Sequence, residues 1–452
     1  VQFRGRTRSA EIGVAGERLV LLSGPEGHDP AAVAARPDTR AESHDGAFYA
    51  WLQAVAPALA ATIGDDPAGL ARLRADEDAP ALASLHLVNA TREERLHAWY
   101  QACRRGRHLI AIRLLRGDID AAQTARAYSD LADAALADIM AACAAEFAAM
   151  HGHVRGGRHA LVAIGRLGAR ELTLKSDLDL LLLYDCDDSA AVSDGAQPLP
   201  AGQYYTRLTQ RLIASVSCSF GDGPLFAVDF RMRPWGSKGP IATRVASLRE
   251  YFAAEAWSFE AMALTRARVV AASPGFGAEV EAALRHGIMA ARARIDLRAG
   301  ALDMRRRVQR EKASRRVWDV KCVAGGLMDI DFIVHTLAIE HVEAFEGVAM
   351  HDMAVACRTL ARVGALSRVD AVALVWALDL YQTAIQHLRV ALPAPYDART
   401  MPDAFAALVA RASGARDIRD LESRLREAQR AVRQIFEQTL GKSRASGRRA
   451  AA

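Results

Sequence analysis

Ala160-Leu-Val-Ala-Ile164 runs into Gly165-Arg-Leu-Gly168, and shortly afterwards comes Ser176-Asp177-Leu178-Asp179-Leu-Leu-Leu-Leu-Tyr184. Two apolar runs of strand length bracket a glycine turn, and the second opens with a pair of carboxylates. Side chains on a strand alternate faces, so Asp177 and Asp179 share one. Leu180–Leu183 is continuously apolar, the pattern of a central strand covered on both faces. Acidic residues at the end of such a strand stand where open sheets bind ligands. Downstream, Leu225-Phe-Ala-Val-Asp229-Phe-Arg231-Met-Arg233 reads as a second strand, with Asp229, Arg231 and Arg233 on one face. If the two strands are neighbours, three carboxylates crowd one spot, which is costly unless a cation neutralises them. Oxygen ligands on a sparse site suit Mg²⁺, which keeps waters and binds substrate phosphates. Two such ions about 3.5–4 Å apart stabilise both the attacking and the leaving oxygen of a displacement at phosphorus. An alternative reading makes Asp229 a salt-bridge partner of Arg231 or Arg233. The Gly165–Gly168 segment is either a plain tight turn or, with Ser176, a turn that offers N–H groups to phosphate.

The rest of the chain sets the frame. Its 452 residues suffice for two or three domains, and 51% hydrophobic with 25% charged residues describes a globular chain with ample core. No apolar run is long enough to span a bilayer, so no membrane association is expected. The first residue is Val, which suggests a piece of a longer chain, and no signal core follows it. The six cysteines are scattered without a CxxC pair, so neither a zinc site nor a disulfide framework is expected, and a reducing cytoplasm fits. A net charge of +5 permits anionic ligands but does not argue for nucleic acid.

Pattern divides the chain into five stretches. Residues 1–45 are poorly patterned, with a turn at Gly24–Gly27. Residues 46–150 read as helical, the clearest stripe being Leu136, Ile139/Met140, Cys143, Phe147 and Met150 behind Ser129 as N-cap. Residues 151–275 alternate strands and helices, with a helix over Tyr204–Val216 and a turn at Gly221-Asp222-Gly223. Residues 276–441 are helical again; the last helix carries one apolar stripe, Leu421, Leu425, Ala428, Val432, Ile435, Phe436 and Leu440. Residues 442–452 form a basic tail.

Taken together, Gly165-Arg-Leu-Gly-x-Arg-Glu-Leu-Thr-x-x-Ser-Asp-Leu-Asp-Leu180 and Asp229-Phe-Arg-Met-Arg-Pro-Trp-Gly-Ser-Lys-Gly-Pro240 resemble the nucleotidyltransferase superfamily that includes DNA polymerase β. More narrowly they resemble the glutamine synthetase adenylyltransferase family. Ala256–Val270, Trp318-Asp-Val-Lys321, Gly325–Phe332 and the Leu131–Ala135 helix also match, so the likeness covers residues 90–440. It implies an α+β fold: a polymerase β-like core of mixed sheet and helices, flanked by helical segments and a C-terminal helical bundle. Family members carry two such halves, one removing AMP by phosphorolysis and one adding it. The Arg231–Pro240 stretch is closer to the C-terminal, adenylylating half. Asp331 stands where the family usually has Glu, and Trp235 where that half more often has a small residue.

The resemblance implies transfer of AMP from ATP to a tyrosine of glutamine synthetase, with pyrophosphate released and a PII signalling protein as regulator. Asp177, Asp179 and Asp229 are then the catalytic residues and the ligands of two Mg²⁺ ions. Gly165, Gly168 and Ser176 cradle the triphosphate, and Arg231, Arg233 and Lys238 offset its charge. Arg266 and Arg268 either line the site or form salt bridges. Lys321, Asp329 and Asp331 read as structural ion pairs where the helical region meets the core, and Arg305–Arg307 with Arg310 as a solvated helix face. His335 and His387 read as packed. The alternatives are the reverse, phosphorolytic reaction, a non-catalytic module that binds PII or glutamine synthetase, and, disfavoured, a nucleic-acid nucleotidyltransferase.

Overall fold

The computed structural model describes residues 11–15, 18–23, 45–64, 90–188, 191–220, 223–312, 314 and 316–441. The turns expected at Gly24–Gly27 and Gly221-Asp222, the helical reading of 65–89 and the basic tail lie outside the described residues. The segment read as unpatterned holds an antiparallel hairpin, β1 (Glu11–Ala15) and β2 (Arg18–Ser23).

Among the described residues four helices precede the sheet: α1 (Asp45–Val55), α2 (Pro57–Ile63), α3 (Arg92–Arg116) and α4 (Ala121–His151). Both long ones begin with reciprocal caps. Thr91 and Glu94 exchange hydrogen bonds at the start of α3, as do Asp120 and Gln123 at the start of α4. Ser129 therefore lies inside α4, where its hydroxyl donates to the Ala125 carbonyl, and is not the N-cap. The stripe expected on α4 is buried from Leu136 to Phe147, but Met150 is exposed.

The sheet consists of β3 (Arg158–Ala163), β4 (Leu178–Asp185), β5 (Val228–Asp229), β6 (Ala242–Arg244) and β7 (Arg268–Ala272). β3 and β4 pair antiparallel, β7 pairs antiparallel with the other edge of β3, and β5 and β6 both pair parallel with β4. Between these strands lie a one-turn helix α5 (Gly165–Gly168), α6 (Ala201–Val216), α7 (Val245–Ala254) and α8 (Ser258–Leu264). Both faces of the sheet are covered. Leu161, Ala163, Leu178, Leu180 and Leu182 pack with residues of α4 and α6. Ala160, Val162, Leu181 and Leu183 join a second core with α7 and the helices that follow. This accounts for the unbroken apolar character of β4.

The remaining helices are α9 (Phe276–Arg294), α10 (Leu297–Glu311), α11 (Leu327–Glu340), α12 (Met353–Arg362), α13 (Arg368–Ala391), α14 (Asp403–Ala412) and α15 (Ile418–Leu440). The whole stripe expected on α15 is buried. All six cysteines are free. No helix among the described residues is long and apolar enough to cross a membrane.

Candidate active site

β4 fixes the site. At its start Leu178 and Asp179 lie in parallel register beside Val228 and Asp229 of β5, and Asp177 stands one residue ahead. The Leu178 amide donates to the Ala227 carbonyl at 2.8 Å, and the Ile164 amide to the Asp179 carbonyl at 2.9 Å. Three carboxylates are thus grouped at one end of the sheet. Burial, then the charges of Asp229 and Asp177, push the Asp179 carboxyl up to about 6. Asp229 moves the opposite way because it has a cation of its own. Arg231 donates from Nε to both carboxylate oxygens (3.0 and 2.9 Å), from Nη2 to Oδ2 (2.5 Å) and from its backbone amide to Oδ1 (2.8 Å). These bonds hold the Asp229 carboxyl below the usual range.

The glycine turn is shaped around the carboxylates. Gly165 has φ +55°, and a β-carbon there would run into Asp179 Oδ2. A β-carbon at Gly168 would meet the Arg266 carbonyl. Ser176 is turned inward: its hydroxyl accepts from the Thr173 amide at 3.0 Å and bonds the Thr173 hydroxyl at 2.8 Å, closing the turn that delivers Asp177.

The strand expected over Leu225–Arg233 is shorter than its sequence pattern, because pairing with β4 ends at Asp229. Strand alternation therefore does not govern Arg231 and Arg233. Arg231 folds back onto Asp229. Arg233 donates from Nη1 to the Phe230 carbonyl (2.5 Å) and from Nε and Nη2 to the Gly239 carbonyl (3.3 and 3.2 Å), closing the loop. That loop includes Trp235, whose φ is +59°, and the exposed Lys238 in a 3₁₀ turn, Gly236–Lys238.

Of the remaining sequence candidates, Arg268 ties α5 to α4. It pairs with Asp133 (2.8 Å) and donates to the Leu167 carbonyl (3.1 Å). Arg266 pairs with Asp331 and donates from Nε to His335 Nε2 (2.8 Å), while His335 Nδ1 faces the Thr265 hydroxyl at 2.7 Å. Asp329 is fully buried, pairs with Arg305 and Arg433, and accepts from the Gly325 amide at 2.8 Å. Arg305 is therefore a buried ion-pair partner rather than part of a solvated face, whereas Arg306, Arg307 and Arg310 are exposed. Lys321 lies beside Asp179 and favours its charge. His387 is buried with Nδ1 donating to the Thr383 carbonyl at 2.8 Å.

Sequence reasoning passed over Arg166, Glu171 and Arg389, which lie in one charged neighbourhood with Arg266, Asp331 and Lys321. Arg166 stands inside the glycine turn itself, and its position there was the available signal. A separate cavity of about 590 Å³, lined by Trp318, Tyr396 and four arginines, includes none of the three aspartates.

Whether the aspartates fit a divalent cation is a question of charge and of geometry. Three carboxylates share the site, and the Arg231 guanidinium is the counter-ion of one of them, Asp229. Among the described residues no three acidic, His or Cys groups form a ready-made cage. The donor chemistry fits, provided Asp229 exchanges Arg231 for the ion.

Fold and site thus define an α+β protein with a carboxylate cluster at the end of a small mixed sheet. The family model for glutamate–ammonia ligase adenylyltransferase matches residues 51–283, and the chain belongs to that family. Glutamate–ammonia ligase is glutamine synthetase. Bifunctional glutamine synthetase adenylyltransferase/adenylyl-removing enzymes are similar. One from Bradyrhizobium sp. (strain ORS 278) is 39% identical over 328 residues, 73% of this chain and 33% of the relative. Those of Xanthobacter autotrophicus (39% over 358 residues, 78% and 36%) and Rhizobium meliloti (39% over 334 residues, 73% and 34%) are alike. The match thus spans about a third of the length of these relatives.

Proposed function

We propose that this chain transfers AMP from ATP to a tyrosine of glutamine synthetase and releases pyrophosphate, with a PII signalling protein as regulator. The observation that carries the reading is the pairing of Asp179 with Asp229 in adjacent strands, with Asp177 alongside. Family membership and the names of the relatives support it. In this reading the fold is of the polymerase β type, and Asp177, Asp179 and Asp229 would hold two Mg²⁺ ions. When bound, these would supply neutralisation of phosphate charge and a lower pKa for the attacking phenol, ordinarily about 10.

The chain's own groups do the positioning. Gly165 and Gly168 let the backbone of the turn approach the phosphates closely. Arg231, released from Asp229, becomes a mobile cation for phosphate oxygens, and Lys238 is exposed on the same loop. Ser176 and Arg233 act one step removed, by holding the turn and the loop in place.

The test uses α-labelled ATP, Mg²⁺ and unmodified glutamine synthetase, with wild type beside Asp177→Ala. Label should reach the synthetase with wild type and fall at least about a hundredfold in the variant, the usual scale for loss of a group that stabilises transition-state charge. Phosphate-dependent release of ADP from adenylylated synthetase, without forward transfer, would reverse the assigned direction. No transfer in either direction, together with no binding of Mg·ATP, would leave only a binding module.

A further inference from the structure

Cations from three parts of the chain gather near the turn that precedes Asp177. Arg166 lies in the one-turn helix between β3 and β4. Its Nη1 is buried without a hydrogen-bond partner, and the side chain makes no ion pair among the described residues. An unpaired buried guanidinium nitrogen is costly and calls for an explanation. Arg389 reaches the same place from α13: its Nη1 donates to the Thr173 hydroxyl at 3.0 Å and to the Lys175 carbonyl at 3.4 Å. The turn it grips is the one that delivers Asp177. One helical turn earlier, the fully buried Gln386 donates to the Leu172 carbonyl at 2.7 Å and holds α13 against this segment.

Lys321 completes the group from the loop ahead of α11. It is solvent-accessible, yet the protein around it and the charges of Arg166 and Arg389 hold its ammonium below the ordinary value. Asp331 is paired with Arg266, and Glu171 faces Arg166 and Arg266. Three converging cations and one orphaned guanidinium nitrogen call for a ligand with several anionic oxygens.

We propose that Arg166, Lys321 and Arg389 form the receptor for the β- and γ-phosphates of the nucleoside triphosphate, so that the helical region completes the nucleotide site. This rests on the adenylyl-transfer reading and deepens it. The pyrophosphate moiety is gripped by Arg166 from the glycine turn, by Lys321 from the loop ahead of α11 and by Arg389 from α13. Arg166 and Arg389 supply the planar donors suited to phosphate. The same residues stabilise the charge that collects on pyrophosphate as it leaves.

The experiment is calorimetric titration of the full chain, in Mg²⁺, with α,β-methylene ATP, with pyrophosphate and with AMP. Wild type is compared with Arg166→Gln, Arg389→Gln and Lys321→Gln. Each substitution should weaken the ATP analogue and pyrophosphate by about tenfold or more, the scale of one charge-assisted hydrogen bond, and leave AMP unchanged. Because the Arg166 side chain makes no hydrogen bond or ion pair among the described residues, Arg166→Gln should keep the wild-type melting temperature, which a structural role would not allow. Unchanged pyrophosphate affinity in the three variants, or an equal loss for AMP, would overturn the proposal. Lys321 is on an accessible loop, so its variant stays informative if the other two fold poorly. A wild-type protein that binds neither the ATP analogue nor pyrophosphate would remove the adenylyl-transfer reading, and this inference with it.

Discussion

Asp179 is the residue on which the most physical chemistry converges. Its carboxyl, raised to about 6, holds a proton more tightly in the folded than in the unfolded chain, where the value is about 4. Without a divalent cation, stability on this account is greatest below about pH 4 and falls as pH rises to about 6. Asp179→Asn removes the loss. In chelator, the variant should be more stable than wild type at pH 7 by about 1–2 kcal/mol once solvent screening is discounted, and the gap should close by about pH 4. Denaturant unfolding across that range checks it, and a gap that widens toward acid would refute it. The carboxylate pair could be read from the sequence because the alternation along a buried strand is strict. Arg231 and Arg233 could not, because the ladder stops at Asp229 and the next residues follow loop geometry. Arg389 was invisible for a different reason: only tertiary packing brings α13 to the turn before Asp177.

The helices carry the other buried charges. α10, α11 and α15 meet at Asp329, where Arg305 and Arg433 converge on one fully buried carboxylate. Removing the acid strands Arg305 in the core, so Asp329→Ala should cost about 3–5 kcal/mol. Asp331→Ala should cost clearly less, because its pair with Arg266 keeps contact with solvent. Chemical denaturation of both variants measures the difference, and equal costs would contradict this account. The two acids lie two residues apart near the start of α11, and the sequence treats them alike. Only packing separates them, because one faces α10 and α15 and the other faces the Arg266 junction after α8. Helix starts were also misread where a plausible cap competed with a better one. Asp120 with Gln123 satisfies two backbone donors, whereas Ser129 lies in the interior of a helix already formed.

At the scale of the whole molecule, the sheet belongs to two cores at once. One face joins α4 and α6, and the other joins a core that runs from α1 to α15. Loss of the helical bundle would bare Leu181, Leu183 and Val162, so sheet and bundle should unfold together. Far-ultraviolet circular dichroism and tryptophan fluorescence should give coincident denaturation curves. Two separated midpoints would show that the regions are energetically independent. The division into helical stretches around a strand-bearing core was legible in the alternation of patterns along the chain. The hairpin near the start was not, since its strands are five and six residues long and the second, Arg18-Leu-Val-Leu-Leu-Ser23, carries no strict alternation. The pairing of β4 has one more consequence. β4 is bonded along both edges and packed on both faces, whereas β5 touches it through only two residues. The candidate site therefore has one stiff wall, bearing Asp179, and one compliant wall, bearing Asp229. A structure built in this way can widen or narrow around ligands of different size without disturbing its core.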